Sequence, residues 1–296
     1  MINFLIEFPA LPREFLRDLK KAIDNGFKEF SRSYGDTIES FFYPLLKILV
    51  FVEDLLLMTP WPIFIGVIAL LGYWATRSYK LVLGVVAALF CVGLFGMWED
   101  TMETTAIILI STLVAILIGI PLGILMSKSD RTQAVITPIL DFMQTLPPFV
   151  YLIPVVMLLG IGKVPGLIAV VIYAVPPVVR LTNLGIREVD SEIIEAAESF
   201  GATPRQKLYK VQIPLAMPTI FAGINQTIMM ALAMVIIASM IGVKGLGLEV
   251  LRSITNQYLA IGLLNGIAIV VIAIIFDRIS QAYGKRVQQH RQGGHH

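Results

Sequence analysis

The sequence has few of the residues on which catalysis and metal binding depend. Its single cysteine, Cys91, lies in an apolar run, which excludes a disulfide framework within one chain. Its three histidines are His290, His295 and His296, and no cluster of His, Cys and carboxylate residues has metal-ligand spacing. There is no G-x-x-x-x-G-K-[ST] phosphate loop and no convincing Ser/His/Asp set. The chain is therefore predicted not to be an enzyme and to bind no metal or cofactor itself.

Charged residues are also scarce. Only 15% of the 296 residues are charged and 56% are hydrophobic, whereas a soluble domain has about 45–50% apolar and roughly 25% charged residues. Several apolar runs approach the ~20 residues that cross a bilayer as a helix. The composition thus predicts an all-α polytopic membrane protein. A net charge of +2 is too small to indicate nucleic acid as a partner, and the start of the chain lacks the pattern of a cleavable signal peptide.

Seven apolar runs are predicted to cross the membrane. They cover residues 60–76, 80–98, 102–126, 133–158, 164–183, 215–241 and 258–277. Basic residues collect in the connections on one side, while those on the other side contain only Lys163, Lys244 and Arg252. The positive-inside rule places the first side in the cytoplasm. Residues 59–278 form the predicted transmembrane domain, and residues 279–296 form a cytoplasmic tail whose final GGHH resembles the start of a purification tag.

Residues 1–58 have a different pattern. In the first part, apolar residues recur at helical spacing among charged ones, which predicts an amphipathic helix on a surface. Residues 38–58 are more apolar but contain Lys47, Glu53 and Asp54, and a charge at mid-membrane costs about 2.5–3.5 kcal/mol. An interfacial or protein-packed helix is therefore expected here. An extra span is the alternative, and it would move the basic amino-terminal tail from the outside to the cytoplasm.

Prolines recur within the runs from Pro121 onward and mark a candidate translocation path. Each removes a backbone hydrogen bond, which a membrane tolerates only where neighbours or a wet cavity satisfy the freed carbonyl. Polar residues beside such a break are typical of a path, although a kinked packing helix is the alternative. A later run is rich in methionine, which adapts to irregular gaps, and the turn 242–247 after it is either an external cap or a plain linker. The candidate path residues are Gln144, Pro147, Pro148, Tyr151, Met230 and Met234.

The most charged segment between the long apolar runs is 190–214. Ser191 as N-cap and Gly201 as C-cap residue are expected to bound a first short helix. Thr203 as N-cap and Pro204 at the first helical position then begin a second helix, which the following prolines are expected to close. The pattern predicts a helical elbow at the cytoplasmic membrane surface. Such an elbow can dock a soluble partner or form an inert loop.

The elbow resembles a signature of the membrane subunits of bacterial ATP-binding-cassette (ABC) importers. That signature is Glu-Ala-Ala, three residues, Gly, nine residues and Ile-x-Leu-Pro, and this chain matches its spacing from Glu195 to Pro214, with Val for Ile and Ile for Leu. The resemblance implies a coupling helix that docks on an ATPase subunit, which would hold ATP and Mg. The implied contact residues are Glu195, Ala196, Ala197, Gly201, Ala202, Thr203, Pro204, Arg205, Lys207 and Pro214.

A narrower resemblance covers about residues 141–247. Three segments look like the permeases of glycine betaine/proline betaine importers. They are DFMQTLPPFVYLIP, IYAVPPVVRLTNLGI and AGINQTIMMALAMVIIASMIGVKGLG. The run from Arg180 to Asn183 favours this branch over choline and carnitine permeases, and QTLPPFVYL differs from taurine-type permeases. The resemblance implies the transmembrane domain of a type I ABC importer, with about seven spans plus the amino-terminal amphipathic and interfacial helices.

The resemblance further implies osmoprotective import by alternating access in the bacterial cytoplasmic (inner) membrane. The expected partners are a second permease copy in a homodimer, two cytoplasmic ATPase subunits, a periplasmic betaine-binding protein and membrane lipid. A permease for choline, carnitine or taurine is one alternative. An ion-coupled secondary transporter is another, although it predicts midplane acids and internal repeats, which the sequence lacks. A structural membrane protein that uses the elbow as a scaffold is the third.

Overall fold

The computed structural model of the chain describes residues 11–292, with the backbone alone for Tyr283 and residues 285–292. Every regular element in that range is a helix, as predicted. The helices are α1 Arg13–Met58, α2 Trp61–Thr76, α3 Tyr79–Leu94, α4 Trp98–Lys128, α5 Asp130–Thr145, α6 Pro148–Leu159, α7 Lys163–Arg187, α8 Ser191–Ser199, α9 Pro204–Ile241, α10 Leu246–Asn256 and α11 Leu259–Gln292. Within α9, Lys207–Gln212 form a π-helical turn and Ser239–Ile241 a 3₁₀ turn.

Four helices are long and apolar enough to cross a membrane: α4, α7, α9 and the Leu259–Ala282 part of α11. Two more crossings arise if each bent pair counts as one span, namely α1 with α2, bent by 106°, and α5 with α6, bent by 97°. The run predicted at 80–98 is α3, an apolar helix of 16 residues that falls short of this length. The polytopic membrane class is thus confirmed, whereas the described residues support four to six spans by length and composition instead of seven.

The core lies where α7 packs between α4 and α9. Glycines allow the helices to approach closely. A Cβ added at Gly123 of α4 would lie 2.6 Å from Thr182 Cβ, and one at Gly223 of α9 would lie 3.0 Å from Leu181 Cβ. Because lipid is as apolar as a leucine side chain, helices in a membrane associate mainly by such packing. The three-helix core therefore depends on small residues at its contacts.

The amino-terminal region is one continuous helix, not the two helices predicted. α1 runs through Pro44, an exposed residue that does not break it. Lys47 and Asp54 are exposed on one face, while Leu49 is only 1% exposed in the main core cluster. Residues 38–58 therefore pack against protein on one face, while the choice between an interfacial or protein-packed helix and an extra span stays a prediction. Residues 1–10, which belong to the predicted amphipathic helix, lie outside the described residues.

A buried ion pair fixes the end of α1 to the start of α7. Lys163 Nζ lies 2.6 and 2.7 Å from the two carboxylate oxygens of Glu53, whose side chain is 10% exposed. Charged residues in the apolar part of a membrane protein usually face the protein interior and pair with one another. The pair explains why α1 carries a charge on the face that packs against the core.

Replacing Lys163 by methionine should lower the free energy of unfolding by roughly 1–3 kcal/mol, because Glu53 then remains buried without a partner. The double variant with Glu53→Gln should recover part of this loss. The measurement is the thermal unfolding midpoint of the detergent-solubilised chain. Arg252→Gln is the control, since Arg252 pairs with Glu249 at an exposed site and such pairs contribute little. Equal losses in the single and double Lys163 variants would contradict the prediction.

Candidate functional site

The first helix of the elbow, residues 190–214, has its N-cap one residue earlier than predicted. Asp190, and not Ser191, is the N-cap of α8, because its side chain accepts a hydrogen bond from the Glu192 backbone N–H at 2.9 Å. Aspartate and serine cap helices through the same acceptor geometry, so the sequence offers two adjacent candidates and does not distinguish them.

Gly201 ends the first part of the elbow as predicted. Its φ is +77°. The N–H of Gly201 donates to Glu198 O at 2.8 Å, and the N–H of Ala202 donates to Ala197 O at 3.0 Å. These two bonds form a Schellman motif. An added Cβ on Gly201 would meet nothing within 4 Å, so the backbone conformation alone favours glycine here.

Thr203 begins the second part of the elbow as predicted, with Pro204 at the first helical position. Thr203 and Gln206 form a capping box. The Gln206 N–H donates to Thr203 Oγ1 at 3.3 Å, and the Thr203 N–H donates to Gln206 Oε1 at 2.9 Å. Gln206 is not among the predicted contact residues, although the Thr-x-x-Gln spacing is the recognised signal for this cap.

The predicted end of the second helix at Pro214 and Pro218 is wrong. α9 continues through both prolines to Ile241. The π-helical turn Lys207–Gln212 ends two residues before Pro214. A proline ring clashes with the carbonyl four residues back and offers no N–H, and the wider π-helical turn accommodates it without a break. The elbow is therefore continuous with a membrane-crossing helix of the core.

Two contacts hold the elbow in place. Leu208 is 3% exposed and belongs to a cluster with Ile186 of α7 and Ile220 of α9. Lys207 forms an ion pair with Glu198 across the elbow. The first contact joins the elbow to the core, and the second joins its two parts to each other.

Arg187 ties the base of the elbow to the turn between α4 and α5. Its guanidinium donates to Asp130 Oδ1 at 2.6 Å, to Met126 O at 2.9 Å and to Asn183 Oδ1 at 3.1 Å. One side chain thus joins the ends of three helices. The sequence predicts Arg187 only as a cytoplasmic charge. No local signal indicates this contact, because Asp130 and Met126 lie 57 and 61 residues earlier in the chain.

The outer face of the elbow is exposed. The predicted contact residues on it are Glu195, Ala196, Gly201, Thr203, Pro204 and Arg205. Those half-buried behind it are Ala197, Ala202, Lys207 and Pro214. Phe200, which is not among the predicted residues, is 93% exposed at the tip. A large aromatic side chain presented among charges on a fixed helical frame is typical of a protein-docking surface.

The predicted path residues begin at the break between α5 and α6. Pro147 has no N–H for the carbonyl of Met143, four residues back. The Tyr151 hydroxyl shares its one proton between that carbonyl and Leu146 O, which lies 2.8 Å away. The freed backbone group is thereby satisfied inside the protein, as a helix break at membrane depth requires. Tyr151 is 8% exposed and has this structural role. Its place on a path stays a prediction.

The two candidate methionines of α9 belong to the main core cluster or pack against it. Met234 is fully buried, and Met230 packs at the edge of the same core cluster, which also contains Met143 and Leu152. The remaining candidates are the half-buried Gln144 and Pro148 and the exposed Pro147. Whether the two groups of candidates line one path stays a prediction.

The turn 242–247 is a packed cap at the end of the core opposite the elbow. Val243 is 3% exposed, and its Cγ2 would lie 2.0 Å from a Cβ added at Gly166. The Leu246 N–H donates to Thr104 Oγ1 of α4 at 2.9 Å. These contacts favour the cap over the plain linker that the sequence leaves open.

A helical membrane core with a proline-broken span and an exposed elbow defines the membrane domain of a transporter. The fold matches two inward-facing structures of the MetNI methionine ABC transporter, with TM-scores of 0.57 and 0.54 at 20% and 22% identity. These matches cover 62% and 66% of this chain and 93% and 96% of those chains. Residues 115–289 match the family described as binding-protein-dependent transport system inner membrane component, and the chain belongs to this family.

Curated relatives are similar over most of the chain. The glycine betaine/proline betaine transport system permease protein ProW of Escherichia coli (strain K12) is 49% identical, across 82% of this chain and 68% of that protein. The glycine betaine/carnitine transport permease protein GbuB of Listeria monocytogenes is 49% identical, across 78% and 83%. The glycine betaine transport system permease protein OpuAB of Bacillus subtilis is 46% identical, across 73% and 76%.

Proposed function

We propose that the chain is the permease subunit of an ATP-driven importer of glycine betaine and related betaines in the bacterial inner membrane. The observation that carries the proposal is the exposed elbow that continues into core helix α9, in a chain whose relatives are named as permeases of betaine transport systems. The chain is a non-catalytic membrane subunit. ATP and Mg are bound by separate ATPase subunits.

The elbow is the docking site for an ATPase subunit in this proposal. Phe200 supplies a large apolar contact at the tip, while Glu195 and Arg205 supply charges of both signs around it. An interface of this kind takes most of its binding energy from a few buried aromatic or arginine side chains and its register from the surrounding charges. The same residues from a second permease copy would engage a second ATPase.

Movement of the ATPases reaches the core through α9. Since no loop separates the elbow from α9, displacement of the docked elbow moves the helix that packs against α7. The cap at 242–247 packs against α4 and α7. Alternating access then requires Val243 to leave its contact with Gly166 and Leu246 to leave Thr104 when the outer end opens.

Substrate selection is assigned to a periplasmic binding protein, which delivers the betaine to the permease. A quaternary ammonium is recognised by the faces of several aromatic rings around it. The predicted path of this chain offers one aromatic residue among its candidates, Tyr151, and its hydroxyl bonds the backbone of the α5–α6 break. The permease therefore provides a route and a gate, and the delivery protein provides the affinity.

Uptake into proteoliposomes tests the proposal. The permease, its ATPase and its binding protein are reconstituted together, and labelled glycine betaine, choline and taurine are compared with and without ATP. Betaine uptake that depends on both ATP and the binding protein is the expected result. Preferred uptake of choline or taurine would overturn the assignment of betaine as substrate, but it would still agree with an ATP-driven importer. Uptake driven by an ion gradient without ATP would overturn the class itself.

A further inference from the structure

A cleft of about 480 Å³ lies between α2, α4 and α11. α2 packs on α3 and α11 and meets α4 where the Phe64 and Trp98 rings lie 5.6 Å apart; the cleft lies beside this contact. The walls are aliphatic and aromatic and include Phe64 and Ile68 of α2, Leu109 of α4, and Ile275 and Phe276 of α11. None of the lining residues belongs to the elbow or to the break between α5 and α6. The transport mechanism gives the cleft no role.

The cleft is unsuited to a polar solute. Two of the threonines in its wall use their hydroxyl protons within their own helices. Thr59 Oγ1 donates to Leu55 O at 2.6 Å, and Thr101 Oγ1 donates to Met97 O at 2.6 Å. A water molecule in a cavity needs about two to four polar partners, and apolar cavities bind apolar ligands. The chemistry of the wall therefore selects an apolar occupant.

The cleft opens to the surroundings of the helix bundle. Its rim residues Ile63, Val67 and Leu109 are 57%, 48% and 40% exposed. α4 and the Leu259–Ala282 part of α11 have the length and hydropathy of membrane-crossing helices, so acyl chains surround this rim. A side chain beside a void lacks dispersion contacts on that side. An acyl chain that enters the cleft from the bilayer supplies these contacts.

One end of the cleft is basic. Arg278 adjoins the lining residue Ile279. Arg77 follows the last residue of α2, and Lys80 lies in the first turn of α3. The three basic side chains are exposed. Basic residues at a membrane surface attract anionic lipid headgroups. This end also lies on the cytoplasmic side by the distribution of basic residues in the chain.

The other end of the cleft is acidic. Glu99 and Asp100 stand directly before the lining residue Thr101 at the start of α4. These carboxylates would repel a lipid phosphate, so the two ends together define one orientation for a bound lipid. Its headgroup lies at the basic end, and its chain extends into the cleft.

We propose that the cleft is a binding site for an acyl chain of an anionic phospholipid from the surrounding bilayer. The phosphate lies at Arg77, Lys80 and Arg278, and the chain fills the gap between α2 and α4. The lipid thereby completes the packing of the α2–α3 hairpin against the core.

Native mass spectrometry of the full-length chain tests this proposal. The chain is purified from nanodiscs that contain equal amounts of phosphatidylglycerol and phosphatidylethanolamine. The wild type should retain one phosphatidylglycerol, and Val67→Trp, which fills the cleft, should reduce that retention at least tenfold. Leu83→Trp is the matched control, because Leu83 is 71% exposed on α3 and does not line the cleft; it should retain the lipid.

A charge variant tests the headgroup contact without altering the walls, so the proposal remains testable even where Val67→Trp does not fold. The triple variant Arg77→Gln, Lys80→Gln, Arg278→Gln should lose the preference for phosphatidylglycerol at least tenfold, since each basic residue contributes roughly fivefold to such binding. Lys20→Gln with Lys21→Gln on α1 should not. The proposal would be overturned if the wild type retained both lipids equally, or if Val67→Trp retained as much phosphatidylglycerol as the wild type. Purification of the wild type as a dimer without bound lipid would also overturn it.

Discussion

Replacing Gly201 by valine should reduce ATP-dependent betaine uptake at least tenfold while the chain still folds into the membrane. The φ of +77° at this position is accessible to glycine, whereas a β-branched residue there is strained by about 1–3 kcal/mol. Relief of that strain breaks the hydrogen bonds from Gly201 and Ala202 that close α8. The two parts of the elbow then lose their relative orientation. Uptake and ATPase activity of the reconstituted complex measure the loss.

Gly96 provides a matched control for this variant. Its φ is +76°, and an added Cβ would likewise meet nothing within 4 Å, but it lies between α3 and α4. Gly96→Val should therefore carry similar strain and keep most of the uptake. Gly201→Asn should also keep most of it, because asparagine tolerates this conformation. Equal losses for the two valine variants would indicate a general folding defect, and normal uptake by Gly201→Val would show that the elbow geometry is not required.

Replacing Gly123 by leucine should lower the free energy of unfolding by about 3 kcal/mol, which is the upper range for overpacking a close-packed contact. Even the Cβ of the new side chain would lie 2.6 Å from Thr182 Cβ and 2.7 Å from Val179 O. The second contact is with backbone, so no side-chain rotation relieves it and α4 must move away from α7. The thermal unfolding midpoint of the detergent-solubilised chain measures the effect.

Gly84→Leu is the control for that experiment. Gly84 is an exposed position of α3 where an added Cβ meets nothing within 4 Å, and leucine has a higher helix propensity than glycine by roughly 0.8–1 kcal/mol. Its midpoint should stay unchanged or rise. If Gly123→Leu unfolds at the same temperature as the wild type, the α4–α7 contact is not as close as the structure has it.

Local chemistry made the elbow the most predictable part of the chain. A cap depends on neighbours within a few residues, so the sequence indicates Gly201 and Thr203 as caps and misplaces the N-cap of α8 by one residue. The proline rule failed at Pro214 because a π-helical turn offers a second way to accommodate a proline. Whether a helix ends or widens there depends on contacts such as that of Leu208 with Ile186, which lie outside the local sequence.

Long-range features could not be predicted in the same way. Hydropathy indicates an apolar run over 133–158 but does not give the angle between successive helices. The 97° bend between α5 and α6 is therefore known only from the structure. The sequence shows Glu53 as a charge within an apolar segment. It does not indicate the partner, because Lys163 lies 110 residues further along the chain. Cys91 lies in an apolar run, yet its side chain is exposed on α3. Periodicity predicts which face of a helix is apolar, but not what covers that face.

The continuity of α9 has a mechanical consequence. α9 contacts α7 at several levels, for example at Gly223 against Leu181 and at Thr219 against Gly185. Its 38 residues span about 57 Å at about 1.5 Å per residue. The elbow and the cap at 242–247 are thus joined by one helix with no loop between them, so a displacement at Pro204 is carried along α9 to Ile241.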